Sequence, residues 1–239
     1  MTHTDRILVI VTNTDEFKNA GYRTGLWLSE LTHFLDAVED AGYNADIASP
    51  AGGKIPLDPE SLIISDMAEM VGIGNAVLKR YEDRAFMDRL ADTMDLSDIR
   101  VQDYDAIYLT GGHGVMFDYP DNERLIELIA RFYDNGRVVS AVCHGPSGLL
   151  NVKLQNREYL LNNKNVTGFS WNEEKMAKRD HAVPFNLEEE LQHRGASFSA
   201  AKLPFGGHVV EDDRLITGQN PKSAKQVGES VVKKLKSMR

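Results

Sequence analysis

The chain reads as an α/β protein with a mostly parallel sheet flanked by helices. Three observations predict this. Short β-branched apolar runs alternate with stretches whose apolar residues recur at helical spacing. Glycine and proline mark the junctions. The apolar and charged shares, 42% and 26%, are those of an ordinary globular chain.

The elements follow in order. Residues 6–12 form a β-branched strand, followed by a polar loop over 13–24. Over 25–40, Trp27, Leu28, Leu31, Phe34, Leu35 and Val38 recur at helical spacing, and Gly42 stops the helix. Residues 44–49 make a second strand, closed by Pro50, Gly52 and Gly53. The segment 54–97 breaks the rhythm, with helices expected around 71–81 and 85–92. It reads as a small helical insertion or cap, and 1–239 as a single domain. Alternation then resumes: strand 104–110, helix 122–135, strand 138–142, and a further helix beginning after Cys143. A strand over 165–167, a helix over 183–194 with Glu188, Glu189 and Glu190 on its wet face, a strand over 214–217 and a closing helix over 221–236 complete the chain. Pro221 suits a first helical turn. In such sheets ligands bind beyond the carboxyl ends of the strands, and Cys143 stands at one of those ends.

Composition narrows the function. A net charge of −9 argues against general nucleic-acid binding and against docking on anionic membranes. One cysteine among 239 residues makes no internal disulfide, which fits a reducing compartment. The first residues lack the basic and apolar regions of a signal peptide, and no apolar run reaches membrane-spanning length. The charge says little about small-molecule substrates, and the expectation is a cytoplasmic protein.

Cys143 lies between a buried strand and a turn carrying Gly145 and Gly148. A strand-to-helix elbow there exposes the thiol at a helix N-terminus, where a thiolate forms more easily. The competing reading is a buried structural cysteine. Gly111, Gly112, His113 and Gly114 follow the strand ending at Leu109 and form either an anion cradle beside the cysteine or a plain tight turn. Glu30 borders the apolar stripe of the first helix, either as a proton carrier with raised pKa or as a solvated flank residue. His144 is a candidate acid/base, although neighbouring side chains usually point apart. Glu173 and Glu174, read as loop residues, are candidates to orient its ring. A metal site is not expected, because the seven histidines are scattered, no His-Glu-x-x-His occurs, and one cysteine makes no thiolate zinc site.

Seven stretches then carry a resemblance that spans nearly the whole chain: TGLWLSEL over 24–31, ASPAGG over 48–53, PLDP over 56–59, GGHG over 111–114, AVCHGP over 141–146, VTGF over 166–169 and TGQNP over 217–221. With them the chain resembles the ThiJ/PfpI superfamily, related to class I glutamine amidotransferases. Within it, the chain resembles the branch of heat-shock-type chaperones and glutathione-independent glyoxalases (glyoxalase III). The resemblance implies a flavodoxin-like three-layer sandwich with Cys143 as nucleophile and Glu30 against its thiol. It implies oxygen-binding amides near Gly112 and His144, in a substrate-binding turn that includes Gly111 and His113. A third acid supports the histidine; it matches Glu174 best, with Glu173 as its rival. The implied reaction is methylglyoxal to lactate, of the D-lactate dehydratase type, on an α-oxoaldehyde and without metal or organic cofactor. The implied assembly is a homodimer. Protein deglycase activity, reported in the family, is a variant of the same chemistry. The alternatives are a non-enzymatic stress chaperone or thiol redox sensor, with Cys143 oxidised beside a protonated Glu30, and a cysteine-dependent amidase or peptidase, as in relatives with the same elbow. One departure stands out: many relatives place proline where this chain has Phe34, which implies a reshaped pocket wall.

Overall fold

The computed structural model describes residues 4–63 and 76–239. Its strands are β1 (Arg6–Ile10), β2 (Asn44–Ser49), β3 (Met94–Asp95), β4 (Ala106–Leu109), β5 (Val138–Val142), β6 (Asn165–Val166), β7 (Ser197–Phe198), β8 (Val209–Asp212) and β9 (Leu215–Gly218). Seven of them form one sheet in the order β3-β2-β1-β4-β5-β9-β8. Every pairing in it is parallel except β8 with β9. The chain leaves β1 toward β2 on one side and returns to β4 on the other. The crevice at that reversal, above the carboxyl ends of the strands, is where this kind of sheet binds ligands.

The α-helices are α1 (Leu28–Glu39), α2 (Ala76–Glu82), α3 (Arg84–Ala91), α4 (Val115–Asp118), α5 (Glu123–Asp134), α6 (Trp171–Met176), α7 (Leu187–His193) and α8 (Ala224–Ser237). Successive strand residues point to opposite faces. Ile7 and Val9 of β1 join the core under α1 and α8, whereas Leu8 and Ile10 join the core under α5 and α7. Both faces are covered, so the central strands are apolar throughout and the fold is a three-layer α/β sandwich. No helix among the described residues is long and apolar enough to cross a membrane.

Several elements differ from the sequence reading. The expected helix after Cys143 is a five-residue 3-10 helix, Gly145–Leu149, with Pro146 in its first turn. The strand expected at 165–167 lies outside the main sheet; as β6 it pairs with β7 in a two-stranded ribbon. The edge strand β8 was not anticipated. Of the helix expected over 71–81, α2 covers the latter part, and 71–75 lie outside the described residues. Phe34 does not shape the pocket. It stacks on Tyr108 at 3.6 Å and 4° and is fully buried behind β4.

Candidate active site

Four segments meet above β1, β4 and β5. The first turn of α1 brings Glu30, the turn after β4 brings residues 111–113, the end of β5 brings Cys143 and His144, and α6 brings Glu174. Cys143 has φ +59, a left-handed conformation rare for a residue with a side chain. Two hydrogen bonds hold it there. Its N–H donates to Gly218 O at 2.9 Å, and its carbonyl accepts from Phe169 N at 2.8 Å. The sharp turn is an elbow, but not an exposed one, since Cys143 is only 4% exposed at the floor of a cleft. The turn also overturns the expectation that adjacent side chains diverge. It swings the His144 ring round until Nδ1 lies 3.3 Å from Sγ.

The far side of that ring is anchored. His144 Nε2–H donates to Glu174 Oε2 at 2.7 Å, and His113 Nε2–H donates to Glu174 Oε1 at 2.8 Å. A carboxylate only accepts, so each histidine carries a hydrogen on Nε2, and the neutral form of His144 presents a bare Nδ1 to the thiol. Burial pushes the Glu174 carboxyl up, but His144 and His113 outweigh it and hold the group well below the carboxylate range. Burial, reinforced by His144, lowers the His113 pKa. His113 therefore does not stand free in the cradle; it braces the acid behind His144.

Glu30 is fully buried. Its Oε2 accepts from Gly111 N at 2.7 Å, so the Gly111 amide serves this carboxyl and not a substrate oxygen. Its Oε1 has no hydrogen-bond partner. Burial raises the Glu30 pKa to about 8, against the opposing pull of the Cys143 and Gly111 contacts. The Cys143 thiol is pushed up as well, first by burial and then by Glu30, while the Gly112 amide hydrogen bond pulls it down. The expected helix-terminus assistance to a thiolate is thus absent: the 3-10 helix is short and burial dominates. Glu30 and Cys143 share a proton-rich, desolvated corner instead. The glycines are obligatory there. A Cβ on Gly111 would lie 2.5 Å from Glu30 Oε2 and 2.7 Å from Cys143 Cβ, and one on Gly112 would lie 2.1 Å from Gly25 O.

Glu173 and Glu174 are not loop residues. They are buried in the first turn of α6, which Ser170 opens with a capping box: Ser170 Oγ accepts from Glu173 N, and Glu173 Oε2 accepts from Ser170 N. Glu173 has different partners from Glu174. Its Oε1 accepts from Phe205 N at 2.8 Å and from Asn220 Nδ2 at 2.9 Å. Asn220 and Phe205 escaped the sequence reading. The TGQNP stretch marked Asn220 as a motif residue without a role, and nothing local marks Phe205. Asp58, in the PLDP stretch, was missed too. It accepts from Thr24 Oγ1 at 3.0 Å, and its N–H donates to Leu26 O at 2.9 Å, locking the turn before α1. The cleft above the thiol holds about 430 Å³ and is lined by Trp27, Gly112, His113, Cys143, His144, Phe169, Phe205 and Asn220, among others.

The histidines are not all scattered, which corrects the metal argument. The ligand atoms of His113, His144 and Glu174 lie within 4.8 Å of one another, a spacing that a metal ion would fit. Both Nε2 hydrogens are already committed to Glu174, so an ion would have to displace them.

Comparison with known proteins agrees with this architecture. The DJ-1/PfpI family profile matches residues 22–234. "Glyoxalase 3" of Candida albicans is 30% identical, covering 95% of this chain and 97% of its own. The crystal structure of glyoxalase III from Candida albicans superposes with a TM-score of 0.84 at 28% identity, covering 97% of this chain and 98% of its own. The Rapid Encystment Protein of Francisella tularensis superposes with a TM-score of 0.88 at 36% identity, covering 96% and 98%. The chain belongs to the DJ-1/PfpI family.

Proposed function

We propose that this protein is a glutathione-independent glyoxalase, converting an α-oxoaldehyde such as methylglyoxal to the 2-hydroxy acid. The observation that carries the reading is one thiol, Cys143, contacted at the floor of a cleft by an imidazole nitrogen, a buried carboxyl and a backbone amide. The names of relatives similar over nearly the whole chain support it. On this reading the full chain works as one domain, with a helical cap or insertion at about 54–97, of which 64–75 lie outside the described residues, and as a homodimer in a reducing cytoplasmic compartment. The family resemblance and the single cysteine support that assignment.

Cys143 passes its proton to His144 Nδ1, and the thiolate attacks the aldehyde carbon. His144 returns the proton to the new oxygen, giving a hemithioacetal, with the Gly112 amide in reach of the developing charge. Glu30, in its carboxylate form, removes the hydrogen from that carbon while His144 carries the hydroxyl proton across to the ketone oxygen, giving an enediolate. Glu30 then delivers its proton to the second carbon, and the first carbon's oxygen closes to a carbonyl. A thioester of the hydroxy acid remains, and water hydrolyses it, restoring the thiol. The first carbon is oxidised and the second reduced within one molecule, so no external redox partner is consumed. Glu174 keeps His144 in the tautomer that faces the thiol.

The test is lactate formation from methylglyoxal by purified protein without glutathione or added metal. Wild type is expected to turn over, and Cys143→Ala to fall to background. Equal rates in the two proteins would sink the proposal.

A further inference from the structure

We propose that the cleft selects α-oxoaldehydes bearing a bulky apolar or aryl group, arylglyoxals ahead of methylglyoxal, and that Phe205 sets this preference. The inference deepens the glyoxalase reading and rests on it.

Size is the first argument. About 430 Å³ falls in the range of ~300–1,000 Å³ typical of pockets for far larger ligands. Methylglyoxal, whose only substituent is a methyl group, leaves most of it filled with water. Chemistry is the second. The polar groups are gathered at the thiol end, whereas Trp27, Phe169, Ala177, Phe205 and Pro221 make the remaining walls largely apolar. A substrate with a reactive dicarbonyl at one end and an apolar body at the other matches that division.

The third argument is the backbone of Phe205. It has φ +58, a conformation that glycine adopts freely and a bulky side chain does not. A fully buried carboxylate holds it there. Glu173 Oε1 accepts from Phe205 N and from Asn220 Nδ2, and the same Asn220 nitrogen donates to Gly206 O at 2.8 Å. Core packing does not explain Phe205, a residue 44% exposed. Its neighbour is the cleft. Its ring centroid lies 6.3 Å from that of Phe169, whose own ring lies 4.6 Å from that of His144. Strain maintained by a buried clamp, with the ring turned to a reactive pocket, marks a functional position. An aryl group seated there meets aromatic neighbours at favourable separations.

The experiment compares initial rates with phenylglyoxal, read as mandelate, and with methylglyoxal, read as lactate. It uses wild type, Phe205→Ala and Phe205→Gly, with Cys143→Ala as background. The same internal oxidation and reduction with uptake of water converts phenylglyoxal to mandelate. Wild type is expected to show kcat/KM roughly tenfold or more higher for phenylglyoxal, the effect of burying a ring. Phe205→Ala is expected to reduce the ratio of the two constants at least severalfold. Phe205→Gly is expected to melt above Phe205→Ala, reversing the usual order, because it relieves the left-handed residue. Titration calorimetry of mandelate and lactate on wild type and Phe205→Ala reads the cleft without turnover. Tighter mandelate binding that Phe205→Ala abolishes supports the inference, and equal binding of both acids overturns it. A wild-type rate ratio at or below one, or a ratio unmoved by Phe205→Ala, also overturns it. Loss of turnover on both aldehydes would remove the glyoxalase reading, and the product titrations would still decide the preference.

Discussion

Glu30 illustrates what a residue-scale reading reaches and where it stops. Its place beside the apolar stripe of α1 is visible in the helical spacing, but the helical wheel leaves open whether it is solvated. The structure buries it completely, because the turn after β4 lies over the first turn of α1 and caps the carboxyl with the Gly111 amide. The consequence is measurable. An unfolded glutamate ionises near pH 4.5, whereas folded Glu30 holds its proton to about pH 8. The folded state therefore binds the extra proton between those values. The stability contributed by the protonated carboxyl is full below pH 4.5 and is lost as pH rises through 8, by an amount of order a few kcal/mol. Glu30→Gln, which carries no charge to desolvate, is expected to melt at a higher temperature than wild type at pH 8 and at a similar one near pH 5. Thermal melts at the two pH values check this, and a gap that does not change with pH would refute it. The same variant should lose turnover, and wild-type kcat/KM should climb through pH 8 as Glu30 becomes the base. The site thus keeps a carboxyl that weakens the fold at the pH where it works.

At the scale of elements, the long periodic segments were legible and the short ones were not. The spacing in α1, α5 and α8 is set by burial of one face against the sheet, a signal repeated over three or more turns. By contrast α6 has six residues, too few for periodicity, and it carries both glutamates. A different signal was available: Ser170 followed three residues later by Glu173 is a capping box. Such a short helix depends on that cap and on tertiary contacts, because nucleation alone is unfavourable. Ser170→Ala is expected to cost about 1 kcal/mol of stability, typical of losing an N-cap side chain. Because α6 also positions Glu174 behind His144, kcat should fall by more than the loss of folded protein explains. Denaturant titration and steady-state kinetics on one preparation separate the two effects, and unchanged kcat would mean that Glu174 is held independently of its helix. The 3-10 helix after Cys143 was misread for a related reason. Gly145 and Gly148 are tolerated there by close packing rather than by helix propensity: a Cβ at Gly145 would sit 2.5 Å from Leu109 O.

Across the whole molecule the two edges of the sheet do different work. The carboxyl edge gathers strained and desolvated groups: left-handed Cys143, buried Glu30, and the carboxylate joining two histidines. The opposite edge is arranged to hold. There Asp105, just before β4, accepts from Thr4 N and Asp5 N at 2.8 Å each and from Arg137 Nη1 at 2.5 Å, tying together the starts of β1, β4 and β5. Arg137 and Asp105 are both nearly excluded from water. Breaking a buried pair by neutralising one partner leaves the other charge uncompensated, which typically costs about 3–5 kcal/mol. Asp105→Asn is therefore expected to lower the urea midpoint sharply, with little change in the m-value. The tie lies at the far end of strands whose pairing remains intact, so kcat per folded molecule should stay within about twofold of wild type, as expected for sites that share no partners. An activity loss exceeding the loss of folded protein would show that the two edges are coupled through the sheet, and that the carboxyl edge depends on the amino edge for more than a folded platform.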